Sequence, residues 1–153
     1  MDIDYLLKTA SELTQVSKIS SDEYEMKFDT LLTEINSVML SRPDIKNLVG
    51  DDNLDMMRDN HANHLRFMKS MFKFYVPHIY VETILWVFRA YRSHGFTTNY
   101  WATQINSWIV LLKKNLSVEA YNEIYPYYEW IQVNIPSLVK ISDSQLNLPN
   151  PLH

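Results

Sequence analysis

The chain has 153 residues, a formal net charge of −4 and no cysteine, and 46% of its residues are hydrophobic. These values fit one folded domain, and they exclude disulfides, thiolate metal sites, a cysteine nucleophile and a basic surface that attracts nucleic acid. Only two glycines are present, so the turns that a sheet protein needs are scarce and long helices are favoured.

The N-terminal half begins with two predicted helices. Apolar residues recur at helical spacing over 3–17 and again over 20–41. Ser20 and Glu23 have the spacing of a capping box at the start of the second helix. The sequence MDIDYLLKTASEL lacks the basic start and apolar run of a signal peptide, and no apolar run reaches the roughly 18 residues of a membrane span. We therefore expect a cytoplasmic protein.

Prolines and glycines divide the middle of the chain. Pro43 ends the second helix, and DIKNLV predicts a short helical turn closed by Gly50. A third long helix is expected over 52–75, ended by Pro77. The following helix, HIYVETILWVFRAYRS, is closed by Gly95 in the position of a left-handed cap.

Two further helices complete the predicted fold. Thr98 caps NYWATQINSWIVLLKKN, and Ser117 caps VEAYNEIYPYYEWIQVN, which Pro126 should kink and Pro136 should end. Residues 143–153 lack periodicity and are expected to form an irregular tail.

Six long helices and one short helix, without a strand pattern, predict an all-α domain over residues 1–142. A helical bundle and a globin-like arrangement both fit this pattern. The very short helix after Pro43, placed between two long ones, favours the globin-like arrangement.

Three histidines in the stretch HANHLRFMKSMFKFYVPH raise the question of a haem or metal site. His61 lies in the middle of the apolar stripe of its helix, and His64 lies at the edge. Haem iron requires a neutral histidine over an apolar pocket, and zinc or iron requires three or four converging ligands. The commoner role for such residues is a buried histidine hydrogen-bonded to a neighbouring helix. We therefore expect no metal site and no cofactor, with a haem-binding oxygen sensor and a metal-binding bundle enzyme as alternatives.

Enzymatic motifs are absent from the sequence. No GxSxG motif is present, and two glycines cannot form a phosphate-binding loop. We expect a binding protein rather than an enzyme.

An apolar ligand channel fits the composition, which includes seven methionines and twenty aromatic residues. His61, His64 and Arg58 are the candidates for the end that binds a carboxylate or another anion. The candidates for the channel wall share the apolar helix faces and are Met57, Leu65, Met68, Ile84, Phe88, Tyr91, Ile105 and Trp108. A second set of apolar flanks predicts a dimer interface: Phe67, Met71, Phe74, Ile79 and Trp86.

The strings HANHLRFM, YVETILWVFRAYRSHGFTTNYW, INSWIVLLKKNL and YPYYEWI, within residues 1–142, resemble the non-haem globin-type sensor domains of Bacillus sporulation histidine kinases. They are most similar to the stand-alone sporulation inhibitory proteins, which copy such a domain without its kinase. The resemblance implies a globin fold without haem, an interior fatty acid, a nearby halide such as chloride, and a homodimer. It also implies that the protein inhibits sporulation by titrating the signal of a sensor histidine kinase. The candidate residues named above come from the helix faces and not from the resemblance.

Overall fold

The computed structural model describes residues 2–145, and these form helices without any strand. The predicted all-α class is therefore confirmed. Eight helices follow one another along this part of the chain: α1 Ile3–Ala10, α2 Lys18–Met26, α3 Phe28–Leu40, α4 Ile45–Val49, α5 Leu54–Lys73, α6 Pro77–Arg92, α7 Thr98–Asn115 and α8 Val118–Ser144. Residues 146–153, which make up most of the predicted tail, lie outside the described residues.

The helix predicted over 20–41 is two helices, which is why the count is eight and not seven. The chain bends at Lys27, where φ is −90° and ψ is 6°. The bend allows α2 to pack against α8 while α3 packs against α7. The predicted capping box is also wrong, because the side chain that caps α2 is Ser17, whose hydroxyl accepts from the backbone N–H of Ser20.

The first helix is shorter than the predicted 3–17. It ends at Ala10, and the segment that follows is held by contacts to the end of α5. The Gln15 amide donates to the carbonyl of Phe72 at 2.7 Å, and its oxygen accepts from the backbone N–H of Tyr75 at 2.8 Å. These long-range bonds hold the segment after Ala10 against the end of α5.

The last helix is longer than predicted and continues through both of its prolines. Pro126 and Pro136 each lack a backbone N–H, a defect that costs about 3 kcal/mol in an isolated helix interior. Helix α8 packs along α7, α6 and α2, so its buried side chains compensate for the lost bonds. Residues Asp143 and Ser144, assigned to the irregular tail, are its last turn.

The predicted glycine turns are confirmed. Gly50 has a φ of 99° and Gly95 a φ of 102°, in the region that favours glycine. Asn53 joins the two turns, because its side-chain N–H group donates to the carbonyls of Val49 and His94, each at 2.7 Å. A Cβ added at Gly50 would lie 2.9 Å from this nitrogen. The turns therefore fix the start of α5 against the end of α6.

Helices α5, α6, α7 and α8 provide most of the buried core and enclose the space described below. Within residues 2–145, none of the helices combines the length and the hydropathy that crossing a bilayer requires.

Candidate functional site

A cavity of about 240 Å³ lies between helices α5, α6 and α7, with one side chain from α8. It is larger than the apolar cavities of about 150 Å³ that hold a benzene molecule, and slightly smaller than pockets for drug-sized ligands. Its wall is mainly apolar and aromatic and contains no lysine, arginine, aspartate or glutamate. The fourteen lining residues are Asn60, Asn63, His64, Phe67, Thr83, Ile84, Trp86, Val87, Phe88, Tyr91, Trp101, Gln104, Ile105 and Ile131.

Half of the predicted channel residues line this cavity, namely Ile84, Phe88, Tyr91 and Ile105. The other four belong to the packed core beside it: Met57, Leu65, Met68 and Trp108 are each 0% exposed and do not reach the wall. An apolar stripe shows which side chains point inward, but it does not show which of them meet a neighbour and which meet empty space.

The predicted anion-binding residues are not brought together. His64 lines the cavity, whereas His61 is fully buried in the core behind it. Arg58 is exposed and forms an ion pair with Asp55 on the same helix. The cavity therefore has no cationic end of the kind that the helix faces predicted.

The predicted dimer residues also separate into two groups. Phe67 and Trp86 line the cavity, and Met71 is buried. Phe74 and Ile79 are on the surface, with exposed fractions of 75% and 46%. These two, at the junction of α5 and α6, are the most exposed of the five, since Phe67 and Trp86 are half-buried.

Both ring nitrogens of His61 have a polar neighbour. Its Nδ1 lies 2.6 Å from the amide oxygen of Asn36 on α3, and its Nε2 lies 3.4 Å from the hydroxyl of Tyr100 on α7. Burial lowers the pKa of His61 to about 3, because the charged ring would lose its hydration. The neutral ring donates its Nδ1 proton to Asn36. His61 is therefore a structural link between three helices, which is the commoner role foreseen for it.

His64 presents a neutral ring to the cavity. Its Nε2 lies 2.8 Å from the hydroxyl of Tyr128, which in turn is 2.7 Å from the hydroxyl of Tyr24. The ring stacks on Trp108 with centroids 4.8 Å apart. Burial, together with the nearby His61, lowers the pKa of His64 to about 3. At neutral pH the ring thus carries no charge that could hold an anion.

Two buried amides, Asn60 and Gln104, belong to the polar side of the cavity together with the more exposed Asn63 and Thr83, and the sequence interpretation missed both buried amides. Asn60 and Gln104 are 4% and 5% exposed. The Asn60 Oδ1 accepts from the hydroxyl of Tyr100 and from Gln104 Nε2, each at 2.7 Å. Gln104 Nε2 also lies 2.9 Å from the Tyr100 hydroxyl. The available signal was the position of Gln104, a polar residue between Trp101 and Ile105 on the apolar face of α7.

The one buried arginine of residues 2–145 lies outside this cavity. Arg89 is 8% exposed, its Nη1 is 3.4 Å from the carbonyl of Gln145, and its Nη2 has no acceptor within the described part of the chain. It lines a separate groove that shares Thr83 and Trp86 with the cavity wall.

Candidate metal ligands do not cluster: no group of three histidine, aspartate or glutamate side chains comes together between residues 2 and 145. Comparison of the chain with family models, with curated proteins and with solved structures gives no match in any of the three.

Proposed function

We propose that this protein is a non-enzymatic binding domain whose interior cavity takes an aliphatic molecule. The observation that carries the proposal is the 240 Å³ cavity, with an aromatic and aliphatic wall and a small set of buried polar groups on one side. This combination is typical of sites that bind an apolar body and orient it through a few hydrogen bonds.

The resemblance supports the finer form of the proposal. In that form the domain is a globin-like, non-haem sensor in the cytoplasm, its guest is a fatty acid, and chloride binds nearby. It would act as a homodimer that titrates the signal of a sporulation sensor histidine kinase and so lowers sporulation. The described helices are compatible with this role, since a mainly apolar cavity lies between α5, α6 and α7.

The alternatives have less support. The haem alternative depended on His61 as the iron ligand. The ring nitrogens of His61 face Asn36 and Tyr100, and the residue does not line the cavity. Catalysis needs a nucleophile or an acid beside a base. The polar groups of the cavity wall are three amides, the hydroxyls of Thr83 and Tyr91, and a neutral histidine that is held by Tyr128.

The test is native mass spectrometry of freshly purified protein, with an absorbance spectrum and elemental analysis of the same sample. We expect a colourless, metal-free protein that carries a guest with a mass on the order of a few hundred daltons. A Soret band or a stoichiometric metal would contradict the proposal.

Two matched variants on α7 locate the guest. Ile105→Phe places a larger side chain in the cavity, whereas Val110→Phe makes a similar change at a position that is 67% exposed. We expect the first variant to lose the bound mass and the second to retain it, with unchanged helix content by circular dichroism. Equal retention in both variants would place the guest elsewhere.

A further inference from the structure

The polar side of the cavity is made of uncharged groups. Asn60 and Gln104 are amides, and burial keeps His64 neutral. Arg58 and Arg66 are on the surface, where Arg66 donates to the exposed wall residue Asn63 at 2.8 Å, and Arg89 lies in the neighbouring groove. No guanidinium of residues 2–145 is therefore part of the wall or beside the buried amides. A carboxylate buried here would lose its hydration without gaining a cationic partner, which is strongly unfavourable.

The hydrogen bonds within the amide pair determine what is left for a guest. The bond from Gln104 Nε2 to Asn60 Oδ1 uses one atom of each amide, and Tyr100 adds a second donor to the same oxygen. The other two amide atoms, Asn60 Nδ2 and Gln104 Oε1, have no hydrogen bond within residues 2–145. The first is a donor and the second is an acceptor, and both belong to residues that line the cavity.

The tryptophans of the wall add no hydrogen-bonding atom that a guest could reach. The indole N–H groups of Trp86 and Trp101 lack an acceptor among the described residues, but both nitrogens are fully buried within the wall. A guest therefore meets the faces and edges of these rings and, at the buried side of the cavity, the free atoms of the amide pair; Asn63 and Thr83 are the less buried polar groups of the wall.

We propose that the cavity selects an aliphatic molecule with an uncharged head group that both donates and accepts a hydrogen bond, such as a primary alcohol or a primary amide. The inference rests on the proposed binding function and specifies its ligand class. The head group would donate to Gln104 Oε1 and accept from Asn60 Nδ2. A fatty acid would enter this cavity as the uncharged acid.

The test is a titration of the full chain at pH 7.5 with decanol, decanamide and decanoate, followed by tryptophan fluorescence because Trp86 and Trp101 line the wall. A carboxyl group has an ordinary pKa near 4.3, about three units below this pH, so protonation on binding costs up to about a thousandfold in affinity. We expect decanol and decanamide to bind at least tenfold more tightly than decanoate.

The variant Gln104→Leu removes the free acceptor. We expect it to weaken decanol binding about three- to tenfold, which is the contribution of one hydrogen bond. Gln132→Leu is the matched control, because Gln132 on α8 bonds to Asn106 away from the cavity. If Gln104→Leu does not fold, the ligand series on the unmodified protein still decides the question.

Two outcomes have different meanings. Decanoate binding as tightly as decanol would overturn the inference while leaving the cavity function intact, and Arg89→Gln would then show whether the buried guanidinium supplies the charge. Failure of all three compounds to bind would overturn the proposed function itself and the inference with it.

Discussion

His61 and His64 are one turn apart on α5, and the two rings point to different partners. One bonds to Asn36 on α3 and the other to Tyr128 on α8, so together they tie α5 to the helices on either side. In these positions both rings are neutral at pH 7, since burial lowers the pKa of each to about 3. The same residues that join the helices therefore make the fold sensitive to acid.

We expect the free energy of unfolding to fall as the pH drops below 6.5. Both folded-state pKa values are depressed, so between pH 6.5 and about 3 the unfolded chain binds protons that the folded chain does not. The stability present above pH 6.5 is then lost at roughly 1.4 kcal/mol per pH unit for each histidine. Chemical denaturation at pH 7.5, 6.0 and 5.0 measures this slope.

Carboxylates also titrate at the lower end of this range, so histidine variants are needed to assign the slope. His64→Gln should reduce the slope by the contribution of one proton. His78→Gln is the control, because His78 is largely exposed and pairs with Glu82 on the surface. An unchanged slope in His64→Gln would show that His64 is not held neutral in the folded state.

Among the elements, α2 and α8 cap each other across more than ninety residues of sequence. Glu123 on α8 accepts from the backbone N–H of Ser17 at 2.8 Å and from its hydroxyl at 2.9 Å, and also bonds to the hydroxyl of Ser20. Glu23 on α2 makes the corresponding bonds to Ser117, at 2.6 Å to the N–H and 2.8 Å to the hydroxyl. Each glutamate thus binds the first residue before the other helix.

Removing one of these glutamates should destabilise the folded protein. The hydroxyls of Ser20 and Ser17 and the Ser17 N–H hold the pKa of Glu123 below its usual range, so the carboxylate is stabilised in the folded state. We expect Glu123→Ala to lower the free energy of unfolding by about 1–2 kcal/mol, as for the loss of a helix cap. Urea denaturation measures it. Glu119→Ala, at an exposed position in the first turn of α8, is the control and should lower the free energy of unfolding by less than half as much. Equal losses in the two variants would indicate that Glu123 acts through the helix dipole and not through its hydrogen bonds to α2.

These elements also show what the sequence could and could not predict. Helix boundaries set by the local chain were predicted, as at Gly50, Pro77 and Gly95, because a glycine or proline acts wherever it stands. Boundaries set by distant contacts were not predicted. At Lys27 the chain bends and α2 packs on α8, whereas at Pro136 the packing of α8 on its neighbours lets the helix continue. The capping box predicted from Ser20 and Glu23 does not form for the same reason, since the Glu23 carboxylate accepts hydrogen bonds from Ser117 at the start of α8.

The same distinction between local and distant contacts applies to the candidate site. The apolar faces of α6 and α7 predicted Ile84, Phe88 and Ile105 as channel residues, and these three line the cavity. The polar side depends on which helices meet, and sequence spacing along α5 alone favoured His61 over its neighbour Asn60. Only the packing of α7 against α5 brings Gln104 and Asn60 together.

For the whole molecule, the junction of α5 and α6 carries two exposed apolar side chains. Helix α6 carries Trp86 and Phe88 on the cavity wall and Ile79 on the outside, near Phe74 at the end of α5. An exposed phenylalanine and an exposed isoleucine, at the two sides of one short turn in the chain, are suitable contacts for a two-fold interface, in which the same residues of both copies meet. The candidate surface for the proposed homodimer is therefore centred on Phe74 and Ile79, two of the five predicted residues.

We expect Phe74→Ser to shift a dimer to a monomer at micromolar concentration, as measured by light scattering or sedimentation. The substitution removes the largest exposed apolar side chain of this surface, and burial of a phenylalanine contributes about 1.5–3 kcal/mol, or twice that when both copies contribute. Val133→Ser is the matched control, since Val133 on α8 is 64% exposed and lies away from the junction. Because Phe74 lies outside the cavity wall, its loss should leave decanol binding unchanged. A Phe74→Ser protein that remains dimeric would exclude this surface, and dissociation caused equally by Val133→Ser would place the interface on α8.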